Sequence, residues 1–210
     1  MMRHALLAVT TLVVTLVVPA AVQAGPPLIC HPFDIGTARS LPIGPADGGW
    51  SAIDRSYDKS KLVSDTLALL TPETPTIVRM ETLRRATMYV ADDEAGAKGL
   101  LQALRDRAAK SPASRAEALT LFDVGYLVET YRQLGTQKRG LSMAAGDIDG
   151  YTMVTTAMKV VKDDPSLHFA AALMTANEKG TPKHREHLRQ ARAATNDALL
   201  ARNVRTHLVG

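Results

Sequence analysis

The chain has 210 residues, one cysteine, and a formal net charge of +4 from 25 Lys and Arg against 21 Asp and Glu. A single cysteine excludes an internal disulfide, and so mild a charge excess without a concentrated basic face argues against a nucleic-acid partner. Stability therefore has to come from packing, and a chain of this length can bury a sizeable core.

The first 24 residues have the layout of a secretory signal peptide. Arg3 and His4 form a short polar start, residues 5–18 carry no charge, and compact residues precede Ala24 at the positions that signal peptidase reads. We expect cleavage between Ala24 and Gly25, a secreted or periplasmic protein, and no stable membrane span after cleavage. An uncleaved anchor is the alternative, but the uncharged stretch is shorter than the ~20 apolar residues that cross a bilayer.

Residues 25–57 are rich in Pro and Gly and predict an extended segment, called here the strap. Because proline has no N–H group, such a segment can lie along helices with few backbone donors to satisfy. We expect Phe33, Ile35 and Leu41 to fix the strap to the helical body, and Asp34 and Arg39 to pair with it.

From residue 58 to residue 210 the chain predicts one all-α domain. Apolar residues recur every three to four positions, and Pro or Gly marks the ends of the predicted helices. A capping box at Ser114 and Glu117, followed by a wide apolar face, predicts that the fourth helix is central. The short turns indicate stacked antiparallel helical hairpins, either a short α-solenoid or a bundle. The seven predicted helices cover residues 58–71, 75–93, 94–110, 114–135, 147–163, 164–180 and 182–208, with a polar loop at 136–146.

Two stretches resemble known proteins. In residues 150–174, Gly150, Tyr151, Ala157, the Asp164-Pro165 turn and an Ala-rich return helix resemble the helix–turn–helix of tetratricopeptide-like repeats. That resemblance implies a surface that binds a peptide or a protein. Residues 28–42, LICHPFDIGTARSLP, look like the segment behind the signal peptide in some uncharacterised secreted bacterial proteins with helical bodies, a likeness that implies a source class and no activity.

Cys30, His31, Asp34 and Arg39 form the candidate binding cluster of the strap. A thiol, an imidazole and a carboxylate so close together can ligate a metal or provide an activated thiolate. Zinc sites usually have four ligands, however, and no second cysteine completes a Cys-x-x-Cys pair. We expect no catalytic residue, no metal and no cofactor, with Cys30 acting as a small buried apolar residue. A metal site and a cysteine nucleophile are the alternatives.

Three further features are interpreted as structural. His184 and His187 share one helical face, but two ligands alone do not make a metal site, and we expect a solvated basic helix. Asp147 and Asp149 lack the ligands of a calcium loop and are expected to cap a helix. Asp123, inside a predicted helix, is expected to be a hydrogen-bonded, half-buried core group.

The function that these patterns favour is that of an exported helical binding or scaffold protein that recognises a protein or peptide partner. This interpretation assigns no enzymatic activity. One alternative is a hydrolase or metal-dependent enzyme that uses Cys30 and His31. Another is a structural envelope protein without a ligand.

Overall fold

The computed structural model describes residues 27–109, 111–193 and 196–208. The expected signal peptide, and its cleavage site between Ala24 and Gly25, lie outside the described residues. Within them the fold is all-α, as predicted, and no strand is found there. The helices are α1 (Leu62–Leu69), α2 (Thr76–Tyr89), α3 (Glu94–Arg107), α4 (Arg115–Gly135), α5 (Arg139–Ala145), α6 (Gly150–Val160), α7 (Pro165–Met174), α8 (Pro182–Ala193) and α9 (Ala198–His207), with short 3-10 segments at Ala46–Gly48, Lys59–Lys61 and Ala176–Glu178.

Two of the predicted boundaries are wrong. The expected polar loop at 136–146 contains α5. Leu141 and Ala145 of this helix are buried against the core, and their burial stabilises the helix despite the polar composition of the segment. The expected single helix over 182–208 is two helices, α8 and α9. The side chain of Asp197 accepts hydrogen bonds from the backbone N–H groups of Leu199 and Leu200, which starts α9 as a separate helix.

Helix α4 is central, as its wide apolar face predicted, because it packs against α2, α3, α5 and α6. The Ser114 side chain accepts a hydrogen bond from the backbone N–H of Glu117 at 3.2 Å, which confirms the predicted N-terminal cap. At the crossing of α4 and α6, Gly125 and Gly150 face each other. A Cβ atom on either residue would overlap the carbonyl oxygen of the other, so glycine sets how closely these helices approach.

Helix α2 is buried on every side: all of its residues except Arg85 are buried. Its charged residues Arg79, Glu81 and Arg84 are therefore inside the protein, each at most 1% exposed. Arg79 is paired with Asp123 of α4 through an Nη1–Oδ2 distance of 2.6 Å. Asp123 is fully buried, not half-buried as expected, and burial raises its pKa to about 6 although Arg79 opposes the shift.

Aspartates begin several of the helices. The Asp149 side chain accepts a hydrogen bond from the N–H of Thr152 at 2.9 Å and caps α6, as predicted, and Asp164 caps α7 in the same way. The prediction is wrong for Asp147, which accepts no hydrogen bond from any described residue. These caps fix where the helices start and thereby which side chains of α6 and α7 face α8.

Candidate functional site: the strap on the helical body

The strap is held on the helical body by apolar side chains, although it has little regular structure of its own. Leu28 and Ile29 are fully buried, Leu41 is 1% exposed and Phe33 is 3% exposed. The Phe33 ring contacts Phe169 of α7 with ring centroids 5.9 Å apart. Fixation by Phe33 and Leu41 is thus confirmed, and Ile35, although only partly buried, also packs against the core.

The backbone N–H groups of the strap are bound by side chains of three different helices. The N–H of Phe33 donates to the carboxylate of Glu81 in α2 at 3.0 Å, and the N–H of Leu28 donates to the Gln133 amide oxygen of α4 at 2.9 Å. Asn203 of α9 accepts from the N–H of Asp34 and donates to its carbonyl oxygen. The body therefore holds the strap through its main chain, in the way that proteins bind extended peptides.

The backbone carbonyl groups of the strap are bound by arginines of α2. Arg84 donates to the carbonyl oxygens of Ile29 at 3.2 Å and Trp50 at 2.9 Å. Arg85 donates to the carbonyl oxygen of Leu41 at 2.6 Å. The carboxylate of Glu81 bridges both guanidinium groups, with nitrogen–oxygen distances of 2.7 Å. The charged side of α2 can be buried because the strap supplies these hydrogen-bonding groups.

Cys30 is buried, with 8% of its surface exposed. Burial raises the pKa of its thiol, and the nearby positive charge of Arg84 opposes this shift only in part. A thiol that acts as a nucleophile usually has a lowered pKa and a base within hydrogen-bonding distance. The Cys30 environment therefore disfavours the thiolate, and no hydrogen bond from Cys30 to a described residue is present.

His31 is close to His207 of α9, their ring centroids being 6.1 Å apart. The Nε2 atom of His31 and both ring nitrogens of His207 are buried without a hydrogen-bond partner among the described residues. Burial lowers the pKa of both rings, to about 4 for His207. The carbonyl oxygen of Pro32 partly opposes the lowering of the His207 pKa, although it does not form a hydrogen bond with the ring. The two imidazoles are thus neutral near pH 7.

Asp34 and Arg39 lie on the outer side of the strap. Asp34 is paired with Arg202 of α9 through an Nε–Oδ2 distance of 2.6 Å, and this hydrogen bond lowers the pKa of its carboxyl group. The expected pairing of Arg39 with the helical body is wrong. Arg39 is exposed and makes no ion pair with a described residue, and Asp34 alone of the two is paired. The four candidate residues therefore do not converge, since Cys30 and His31 face inward and Asp34 and Arg39 face outward.

A second cluster of histidines joins α6, α7 and α8. The Nδ1 atoms of His168 and His187 are 3.1 Å apart, and Nε2 of His187 is 2.8 Å from the Tyr151 hydroxyl oxygen. His184 contacts the hydroxyl of Thr175 at 2.9 Å instead of sharing a ligand with His187. Both histidines of α8 are buried, so the expectation that they lie on a solvated face is wrong. Burial and the neighbouring His168 lower the pKa of His187 to about 4.

Sequence reasoning missed the residues that hold the strap, above all Glu81, Arg84 and Asn203. The sequence does contain a signal that Glu81 and Arg84 are buried, because the charged residues of α2 lie between apolar residues on all sides of the helix. A helix that is apolar on every side is buried, so its charges have to find partners inside the protein. Nothing near Asn203 or His207 in the sequence indicates contact with residues 31–34.

Within the described ranges, no helix is long and apolar enough to cross a bilayer. In the same part of the chain, no three or more His, Cys, Asp and Glu side chains are grouped so that they could hold a metal ion. Comparison with protein-family models, curated proteins and solved structures finds no match to this chain. The residues of the chain itself are therefore the basis for an assignment of function.

Proposed function

We propose that the protein is an exported helical binding protein that recognises a partner protein through the outer side of its strap. The observation that carries the proposal is the two-sided arrangement of this segment. Its inner side is fixed by buried residues such as Phe33 and Leu41, while Ile43 on its outer side is a large apolar residue that is 41% exposed. Pro42 and Arg39 of the same segment are also exposed.

The backbone around Ile43 supports this role because it is extended and fixed in place. Pro45 has φ −61° and ψ 149°, the values of a polyproline II conformation. The N–H of Gly44 donates to the carbonyl oxygen of Ala52 at 3.3 Å and ties the segment to the following turn. An extended segment that is ordered before binding loses less conformational entropy in the complex, which favours affinity.

The chemistry of this surface defines the partner. Arg39 carries a positive charge without an ion pair to a described residue, and Pro42 and Ile43 add apolar area. A complementary surface has an apolar pocket for the Pro-Ile pair and a carboxylate for the guanidinium of Arg39. The enzyme alternative would require Cys30 to be open to a substrate, and its burial and raised pKa favour the binding role.

Site-specific photocrosslinking tests the proposal in the cells that make the protein. A photoreactive amino acid at position 43 of the full chain is expected to yield one discrete crosslinked product in the exported fraction. The Arg39→Glu change is expected to remove this product without lowering the Tm. Arg39 is exposed and forms no ion pair with a described residue, so its charge contributes to binding of the partner and not to stability.

The matched control places the same photoreactive group at position 143 in α5. Met143 is another large apolar residue, 52% exposed, and lies in α5, outside the strap. No product at position 43, or the same product from both positions, would show that the outer side of the strap is not a recognition surface.

A further inference from the structure

A cleft of about 150 Å³ lies where the turn between α1 and α2, the end of α3 and the first turns of α4 meet. Leu70, Pro72 and Ala116 give it apolar walls, and Thr120 adds a hydroxyl group. Cavities of roughly this volume accept a molecule the size of benzene, about six non-hydrogen atoms. The cleft therefore has room for a small organic molecule with an aliphatic part.

Arg107 gives one side of the cleft a positive charge that neutral groups hold in place. Its guanidinium group donates to the carbonyl oxygens of Leu67 at 2.9 Å and Leu70 at 3.0 Å. A guanidinium group has five N–H donors, so these two bonds position it and leave others available. No carboxylate of a described residue forms an ion pair with Arg107.

The other charged groups at the cleft already have partners. Arg79 is 1% exposed and paired with Asp123. The carboxylate of Glu117 accepts a hydrogen bond from the N–H of Ala113 at 2.7 Å, as part of the start of α4. Of the two positive charges at the cleft, the exposed guanidinium of Arg107 is the one without an ion pair to a described residue.

We propose that this cleft binds a small carboxylate with a short aliphatic group. The carboxylate pairs with the free N–H groups of Arg107, and the aliphatic group lies against Leu70, Pro72 and Ala116. A branched four-carbon acid has six non-hydrogen atoms and fits the cleft volume. The same chemistry occurs in a free short-chain acid and at the C-terminus of a peptide that ends in a small residue.

Titration of the full chain with isobutyrate tests the site, with isobutyramide as the uncharged ligand of the same shape. Isobutyrate is expected to raise the Tm saturably, because a ligand that binds the native state stabilises it, and isobutyramide is expected to have little effect. An acetylated peptide ending in alanine, compared with its C-terminal amide, separates the two sources of the carboxylate. The source that binds more tightly is the one that the cleft prefers.

Two variants and one control locate the binding. Arg107→Gln is expected to weaken isobutyrate binding about tenfold or more, since it removes a charge-assisted hydrogen bond. Ala116→Leu is expected to block the cleft while Arg107 is retained. Arg105→Gln removes an exposed charge of the same helical turn and is expected to bind like the unmodified protein. Equal shifts with acid and amide, unchanged binding in both variants, or no saturable shift would overturn the proposal.

Discussion

A chain without residues 27–43 is expected to lose the cooperative unfolding transition of the intact protein. The deletion removes Leu28, Ile29, Phe33 and Leu41, which are at most 3% exposed. Burial of four such side chains contributes roughly 6–12 kcal/mol, which is comparable to the ~5–15 kcal/mol that stabilises a whole domain. The deletion also removes the carbonyl groups of Ile29 and Leu41, which bind Arg84 and Arg85 of α2, and the N–H of Phe33, which binds Glu81. Thermal unfolding followed by circular dichroism is the measurement.

Two point variants separate the loss of contacts from the shortening of the chain. Phe33→Ala removes a buried ring and is expected to cost about 3–5 kcal/mol in the free energy of unfolding. Ile43→Ala, in the same segment but 41% exposed, is expected to leave that free energy almost unchanged. Equal Tm values for the intact protein and the protein without residues 27–43 would contradict a structural role of the strap.

Acidification is expected to lower the free energy of unfolding by roughly 1 kcal/mol per pH unit between pH 6 and pH 4. His187 and His207 have a pKa of about 4 in the folded protein and an ordinary value of 6.5 when unfolded. The unfolded chain therefore binds protons that the folded chain does not, and stability falls as the pH drops through this range. Each fully titrating group gives about 1.4 kcal/mol per pH unit, and solvent screening at partly exposed rings reduces this.

Asp123 acts in the opposite direction over the same range. Its pKa of about 6 is above the ordinary 3.8, so between these values the folded protein binds a proton that the unfolded chain does not. Asp123 therefore offsets about one of the two histidines, and this leaves the net slope given above. The lowered pKa values of His31, His168 and His184 make the slope steeper, whereas burial raises the pKa of the Glu129 carboxyl group and makes the slope shallower.

Replacement of His207 tests the origin of this slope. His207→Phe keeps a ring against Phe33, whose centroid is 4.8 Å away, and removes two buried nitrogens without partners. The variant is expected to be at least as stable as the intact protein near pH 7 and to lose stability less steeply below pH 6. Arg205→Gln, an exposed change in the same helix, is the control and keeps the original slope. An unchanged slope in His207→Phe would rule out His207 as a contributor.

Most helices of this protein could be predicted because they depend on patterns of residues that are close together in the sequence. The cap at Ser114, the wide apolar face of α4 and the Asp164-Pro165 start of α7 each act within a few residues. The errors fall where two local preferences compete. In residues 136–146 the polar composition favoured a loop, but burial of Leu141 stabilises a helix.

The site depends on contacts between distant parts of the chain, which short-range patterns do not contain. Asp34 meets Asn203 and Arg202, which are nearly the whole chain away. The composition of residues 30–39 was enough to identify the cluster. Contacts with α2 and α9, however, decide which of its side chains face inward. The charges of α2 required partners inside the protein, but the sequence does not indicate that the carbonyl groups of the strap would supply them.

The rate at which Cys30 reacts with a thiol reagent tests most directly whether the strap is docked on α2. Cys30 is the only cysteine of the chain, lies next to Ile29 and is 8% exposed. We predict slow labelling near neutral pH, with a rate that rises with denaturant in parallel with global unfolding. Labelling of the native protein as fast as that of an unfolded control would contradict the docked strap.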